Sequence, residues 1–249
     1  MTRLSFLILI ISVSVWGLAY FESKELVDAS EIVELIKSND PEQLSTKEKP
    51  YDFEYTERKY RITPLAEYKI QGLVVSHNNI HSIADMYHDR TSVDIKDLCI
   101  LWGSNVASDV YLHGRYWNGS FHCAYEFSDG EQYAKFRHDQ LSNNHILAHT
   151  LRVRKQIESI RIGDQVSLSG HLIKYSEIPG NGFERVSSLI RTDTGNGACE
   201  VFMVDTVKIF KRGNQGWNKI KDFAAITSLI FLVLCPAIFI ASAYIRGLR

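Results

Sequence analysis

Apolar residues run without a break near both ends of the chain and alternate with polar residues through much of the middle. Leu4 to Phe21 reads LSFLILIISVSVWGLAYF, with no charge, no proline and one glycine. At a rise of ~1.5 Å per residue, about 20 apolar residues cross the hydrocarbon core of a bilayer, so a transmembrane helix is expected over 1–21. A cleaved signal peptide is the competing reading. The run exceeds the roughly 7–15 apolar residues of a signal peptide, and the exit GLAYFES carries no A-x-A pattern, so an uncleaved anchor is the expectation. Phe223 to Ile245 reads FAAITSLIFLVLCPAIFIASAYI. It is apolar all round rather than along one stripe, which predicts a second transmembrane helix over 223–245. Pro236 removes a backbone hydrogen bond there and predicts a kink.

Residues 22–50 read as a helix and a linker. Leu26, Ala29, Ile32, Val33 and Ile36 fall near helical spacing, and Asn39-Asp40-Pro41 stops the helix near Ser38. From 51 to 215 strand periods dominate. Tyr51, Phe53 and Tyr55 alternate with polar residues, and Ala66 to Ser76 reads as a strand. Leu98 to Trp102 is a continuous apolar run, as in a strand buried on both faces. Phe121, Cys123, Tyr125 and Phe127 alternate in the manner of a half-buried strand. Helices are expected at Ile80–Tyr87 and Thr150–Ile160. After a turn at Gly163-Asp164, the residues Val166, Leu168, Gly170 and Leu172 share one face, with Gly170 marking a bulge or tight bend. Val186–Arg191 and Cys199–Phe210 are expected to pair with each other about a turn at Gly195-Asn196-Gly197. The pattern gives a mixed, β-rich (α+β) globular domain, a small OB-like barrel or sandwich, flanked by two transmembrane helices.

The stretch GDQVSLSGHLIKY, Gly163 to Tyr175, resembles strands of OB-type barrels, in which G-D-x-V-x-x-x-G-x-L recurs. Four segments carry a second resemblance: Leu98 to Gly103, Ser142-Asn143-Asn144-His145, Gly163-Asp164-Gln165 and Asp193 to Glu200. Through them the region from Pro64 to Phe210 is similar to a group of uncharacterised bacterial membrane-anchored proteins. That resemblance implies a membrane tether and carries over no catalytic residue.

Charge decides which side the domain faces. Arg3 precedes the first apolar run, whereas Glu22, Glu25, Asp28, Glu31 and Glu34 follow it. Basic residues mark the cytoplasmic side, so the domain is expected outside. Lys208, Lys211, Arg212, Lys219 and Lys221 precede the second run and favour the opposite arrangement. The first segment usually sets topology, which leads to an inner-membrane, two-pass protein with a periplasmic domain. With 28 basic and 29 acidic residues the net charge is −1, and no global attraction to nucleic acid follows. The basic run suits lipid headgroups, with Trp217 as an interfacial anchor. Cys99, Cys123 and Cys199 allow one disulfide plus a free thiol outside, or three thiols inside.

Candidate chemistry is sparse. His77 and His81 are four apart, as are His145 and His149. On a helix each pair would share a face and could chelate a metal, so these four are the candidate metal or haem ligands. Asp193-Thr194-Gly195 matches the aspartic-protease triplet, but such enzymes use two carboxylates and this chain has one copy. Asp-Thr-Gly-Asn-Gly is also turn chemistry. No nucleophile elbow, phosphate-binding loop or dinucleotide fingerprint occurs, and no cofactor is implied by motif. The leading expectation is a non-enzymatic interaction or assembly module of the cell envelope, whose partners are the bilayer and a membrane or envelope protein. A metal- or haem-binding protein and an envelope hydrolase using Asp193 are the alternatives.

Overall fold

The computed structural model describes residues 2–80, 82, 91–119, 122–180, 182, 184–193, 195 and 197–247. In chain order its helices are α1 (Thr2–Glu22), α2 (Leu35–Ser38), α3 (Ser104–Ala107), α4 (Gly130–Lys135), α5 (Leu151–Glu158) and α6 (Gln215–Gly247). Its strands are β1 (Glu42–Ser45), β2 (Tyr51–Tyr55), β3 (Arg58–Asn79), β4 (Lys96–Leu101), β5 (Gly114–Gly119), β6 (His122–Phe127), β7 (Leu141–Leu147), β8 (Gln165–Ile178), β9 (Glu184–Val186) and β10 (Glu200–Lys211). The protein is mixed α+β and divides into two compact units, one of 26–213 and one of 1–25 with 214–249.

The second unit is a helical pair. The α1 span from Arg3 to Glu22 and the α6 span from Gln215 to Ile245 are each long and apolar enough to cross a membrane. The helices run antiparallel: Ser228 Oγ lies 3.0 Å from Ser12 Oγ, and Lys221 Nζ donates to Ser23 Oγ at 3.0 Å. Their apolar side chains, among them Leu4, Phe6, Phe223 and Phe239, are largely exposed. The α6 helix continues through Pro236.

The first unit is built on β3. Its N-terminal two-thirds pairs antiparallel with β8, and its C-terminal third pairs antiparallel with β4. From β4 the ladder passes to β7, then in parallel to β10, then antiparallel to β8, and so returns to β3. Strands β1 and β2 add to β3, and β9 adds to β8. A separate hairpin, β5–β6, is joined to β4 by the Cys99–Cys123 disulfide.

Side-chain alternation distributes three apolar clusters over this frame. Tyr68, Ile70, Leu98, Ile146, Leu168 and Phe202 form the first, with Val153 and Ile157 of α5 packed into it. Leu73, Leu101, Tyr111 and Phe136 form the second beneath the β5–β6 aromatics, and Tyr60, Ile62, Leu147, Ile173, Val201 and Met203 form the third. The α5 helix starts where Thr150 accepts from the Val153 N–H, a side-chain N-cap.

Several expectations are corrected. The single helix over 22–38 is absent; a 3-10 turn at Ala29–Glu31 and the short α2 stand in its place. Gln165 is the reason. Its Nε2 donates to Glu31 O at 2.9 Å and its Oε1 accepts from Val33 N at 2.7 Å, taking backbone groups that a continuous helix would use. The polar stretch 39–50 contains β1. The strand expected at Ala66–Ser76 is the middle of the longer β3. Val186–Arg191 does not pair with Cys199–Phe210: β9 pairs with β8, and β10 lies between β7 and β8. The helix expected at Ile80–Tyr87 falls almost wholly outside the described residues.

Candidate functional site

Strand β7 places four polar side chains in succession, Ser142, Asn143, Asn144 and His145, and all four are buried. Burying polar groups is costly unless each is hydrogen-bonded, so such a row calls for a network. Alternation sends it to two faces. On one, Asn144 Nδ2 donates to Ser142 Oγ at 2.8 Å and to Leu98 O at 3.3 Å. Glu200, opposite Asn144, pairs with Arg191, whose guanidinium also stacks 5.1 Å from the Tyr68 ring. Burial pushes the Glu200 carboxyl up to about 7 against the opposing pull of Arg191.

The other face carries the more reactive group. His145 stands opposite Asp97 in the β4–β7 register, and its Nδ1 lies 2.6 Å from Asp97 Oδ1. Both side chains are buried, and Asp97 Oδ2 finds no donor among the described residues. Cys199, one residue before β10, is half-buried, carries a free thiol and is hydrogen-bonded to His145. Burial lowers the His145 pKa, but the bonds to Asp97 and Cys199 outweigh it and carry the imidazole up to about 9. Asn143 Nδ2 approaches Cys199 Sγ at 3.6 Å and His145 Nε2 at 3.4 Å. The Asn143 amide is itself oriented: its Oδ1 accepts from Asn118 Nδ2 at 3.2 Å, and Asn118 Oδ1 accepts from Ser76 Oγ at 2.5 Å. Acid from β4, imidazole and amide from β7, and thiol from the residue before β10 thus meet, with Asn118 of β5 behind the amide.

The four histidines expected to bind metal are placed as follows. His77 is half-buried in β3, opposite Leu98. His145 is the β7 residue just described. His149 lies exposed beyond β7, with Nε2 2.8 Å from the Tyr51 hydroxyl and its ring edge-on to Phe53 at 4.8 Å. His81 lies outside the described residues. Neither pair shares a helix face, since His77 and His145 sit on strands. Among the described residues no three His, Cys, Asp or Glu side chains gather to hold an ion.

Asp193 accepts from Ser188 Oγ at 2.5 Å, inside the loop that leads to Gly195 with φ +86°. Its carboxylate fastens that loop, and Thr194 of the triplet lies outside the described residues. The basic run is partly engaged at home. Lys211 pairs with Glu31 at 3.1 Å and Arg212 with Asp164 at 2.8 Å.

At the middle of β3 a cleft of about 320 Å³ opens between β1 and β8, lined by Leu44, Glu48, Glu67, Lys69 and His171 among others. Leu44, Val186, Leu189 and Ile190 are exposed, and Gln43 Nε2 donates to Leu189 O at 3.1 Å, which brings β1 and that loop together.

No known protein family, no curated protein and no solved structure matches the chain.

Sequence reading assigns no site role to Asp97, Asn143 or Cys199. A signal existed in Ser142-Asn143-Asn144-His145: four polar residues cannot continue the alternation of a half-buried strand. The pairing of that run with Asp97 and Cys199 depends on strand order, which periodicity does not encode.

Proposed function

We propose that the chain is a two-pass inner-membrane protein whose 26–213 unit is an OB-type barrel on the periplasmic side, serving as a docking module for a membrane or envelope protein. Reading β3, β4, β7, β8 and β10 as five barrel strands gives a closed path with one parallel pair, β7–β10, and with α5 connecting β7 to β8. That connectivity supports a five-stranded Greek-key barrel of OB type. The Cys99–Cys123 disulfide supports an oxidising compartment for the domain.

The observation that carries the docking reading is the exposed apolar set Leu44, Val186, Leu189 and Ile190 beside the short edge strands β1 and β9. Edge strands present unpaired backbone groups, and clustered exposed apolar side chains mark interaction surfaces. A partner segment adding to β1 would satisfy both features. A photo-crosslinking residue at Ile190 is expected to trap one discrete adduct in intact cells, and the same residue at Glu126 none. A ladder of unrelated products from both positions, or no product from Ile190, defeats the docking reading.

A further inference from the structure

We propose that Cys199, His145 and Asp97, with Asn143, form a nucleophilic thiol site that accepts acyl groups from carboxylic esters or thioesters. The site adjoins the loop of Leu189 and Ile190, where the Ser188 N–H donates to Cys199 O at 3.0 Å, but the inference does not depend on the docking reading.

The arrangement meets the geometric demands of thiol nucleophilic catalysis. A nucleophile needs a base within hydrogen-bond reach, and the base needs a third group to fix its tautomer and ring orientation. Asp97 Oδ1 takes the Nδ1–H of His145 at 2.6 Å. That leaves Nε2 as the ring nitrogen available to Cys199, to which His145 is hydrogen-bonded. The acid and the base are buried, so their geometry is held by packing on adjacent paired strands, while the thiol is half-exposed. Acyl transfer also needs a donor aimed at the oxygen that becomes negative. Asn143 Nδ2 supplies one beside the sulfur, and the chain Ser76–Asn118–Asn143 keeps the amide nitrogen turned toward it. A purely structural histidine–aspartate pair requires neither the adjacent free thiol nor the oriented amide.

The step balances without an oxidant or reductant. The base is the neutral imidazole, the form that gains weight as pH rises toward 9: the Sγ–H bond breaks and the proton passes to His145 Nε2. The sulfur forms a bond to the carbonyl carbon, and the carbonyl π pair moves to the oxygen, which faces Asn143 Nδ2. On collapse the leaving oxygen or sulfur departs and takes the proton from His145. Water then hydrolyses the S-acyl group, restoring the thiol and releasing a carboxylic acid. Asp97 acts as a positioning residue, and Asn118 and Ser76 position Asn143.

The test uses the full chain in detergent with Cys235→Ala, so that Cys199 is the free thiol beside the Cys99–Cys123 disulfide. Iodoacetamide and p-nitrophenyl acetate are the probes, followed by mass spectrometry of the intact protein and of its peptides. Cys199 is expected to alkylate at least about 10-fold faster than glutathione at neutral pH, and to carry an acetyl adduct that Cys199→Ala abolishes. His145→Ala is expected to slow acylation by about 100-fold, and Asp97→Asn to slow it less. Asn143→Ala is expected to lower the ratio of acylation to alkylation by about 100-fold, because its amide acts only on a carbonyl substrate. Melting curves establish that each variant is folded; His145→Gln, closer in volume, carries the comparison if alanine unfolds the domain. The proposal is overturned if Cys199 alkylates no faster than glutathione and gains no acetyl group, or if the folded His145 variants react like the parent.

Discussion

His145 is the residue at which burial and bonding compete most openly. Desolvation alone would strip its proton, yet in the folded domain the imidazole holds it up to about pH 9. An unfolded histidine releases its proton near 6.5. The histidine's contribution to stability is therefore complete below pH 6.5 and disappears as the pH rises through 9. The gap is worth on the order of 3 kcal/mol. Lys96 works against it. Burial lowers that ammonium to about 7 while its Nζ donates to the Glu158 and Ile160 carbonyls, so its contribution grows as pH rises. The informative quantity is thus a difference: the melting temperature of the parent minus that of Asp97→Asn should shrink between pH 6.5 and 9. A difference that is flat across this range would show that Asp97 does not hold the histidine's proton. Little of this was legible in the sequence. His145 could be singled out there, but the helical spacing to His149 pointed to a different partner from the one that the β4 register supplies.

Among elements, β8 is where local sequence and final structure agree most closely. Val166, Leu168 and Leu172 are all fully buried on one face, as the alternation requires, and the strand follows a turn at Gly163, whose φ is +83°. Gly170 marks the closest approach. A Cβ placed there would lie 2.1 Å from Met203 O, and β10 shifts its register opposite it, between Val204 and Thr206. Gly170→Ala is expected to destabilise the domain by about 2–3 kcal/mol, seen as a lower urea midpoint with unchanged slope. An unchanged midpoint would mean that the two backbones can separate at little cost. The elements that sequence reading captured, β2, β4, β6, β8, α5 and the two apolar helices, have periodicity strong enough to stand alone. Those it missed depend on distant partners. The segment 22–38 is reshaped by Gln165, and β5 is recognisable mainly through its ladder to β6 and the Asn118 amide. Strand pairing went astray at 186–191 for the same reason: two stretches near in sequence each found a better partner elsewhere.

At the scale of the whole molecule the decisive question is sidedness. An antiparallel α1–α6 pair brings Thr2 and Gly247 to one side of any bilayer it spans and Glu22 and Gln215 to the other. The proposed periplasmic placement of the 26–213 unit rests on the acidic flank after α1 and on the disulfide. An alkaline-phosphatase fusion after Lys49 should be active and a fluorescent-protein fusion there dark. The reverse result would move the domain, its docking surface and its thiol to the cytoplasm.

The pairing of α1 with α6 also sets an order of assembly. Residues 23–214 separate the two helices in sequence, so in the proposed two-pass arrangement α1 enters the membrane long before its partner has been synthesised. Through that interval Ser12, which later meets Ser228, has only the Leu9 carbonyl of its own helix. The first helix must therefore be stable in lipid as a single span. The hairpin closes only when the last helix arrives, after the chain between them has had time to fold. Delay or loss of α6 would leave a singly tethered intermediate, which membrane quality-control proteases could recognise by its unpaired first helix.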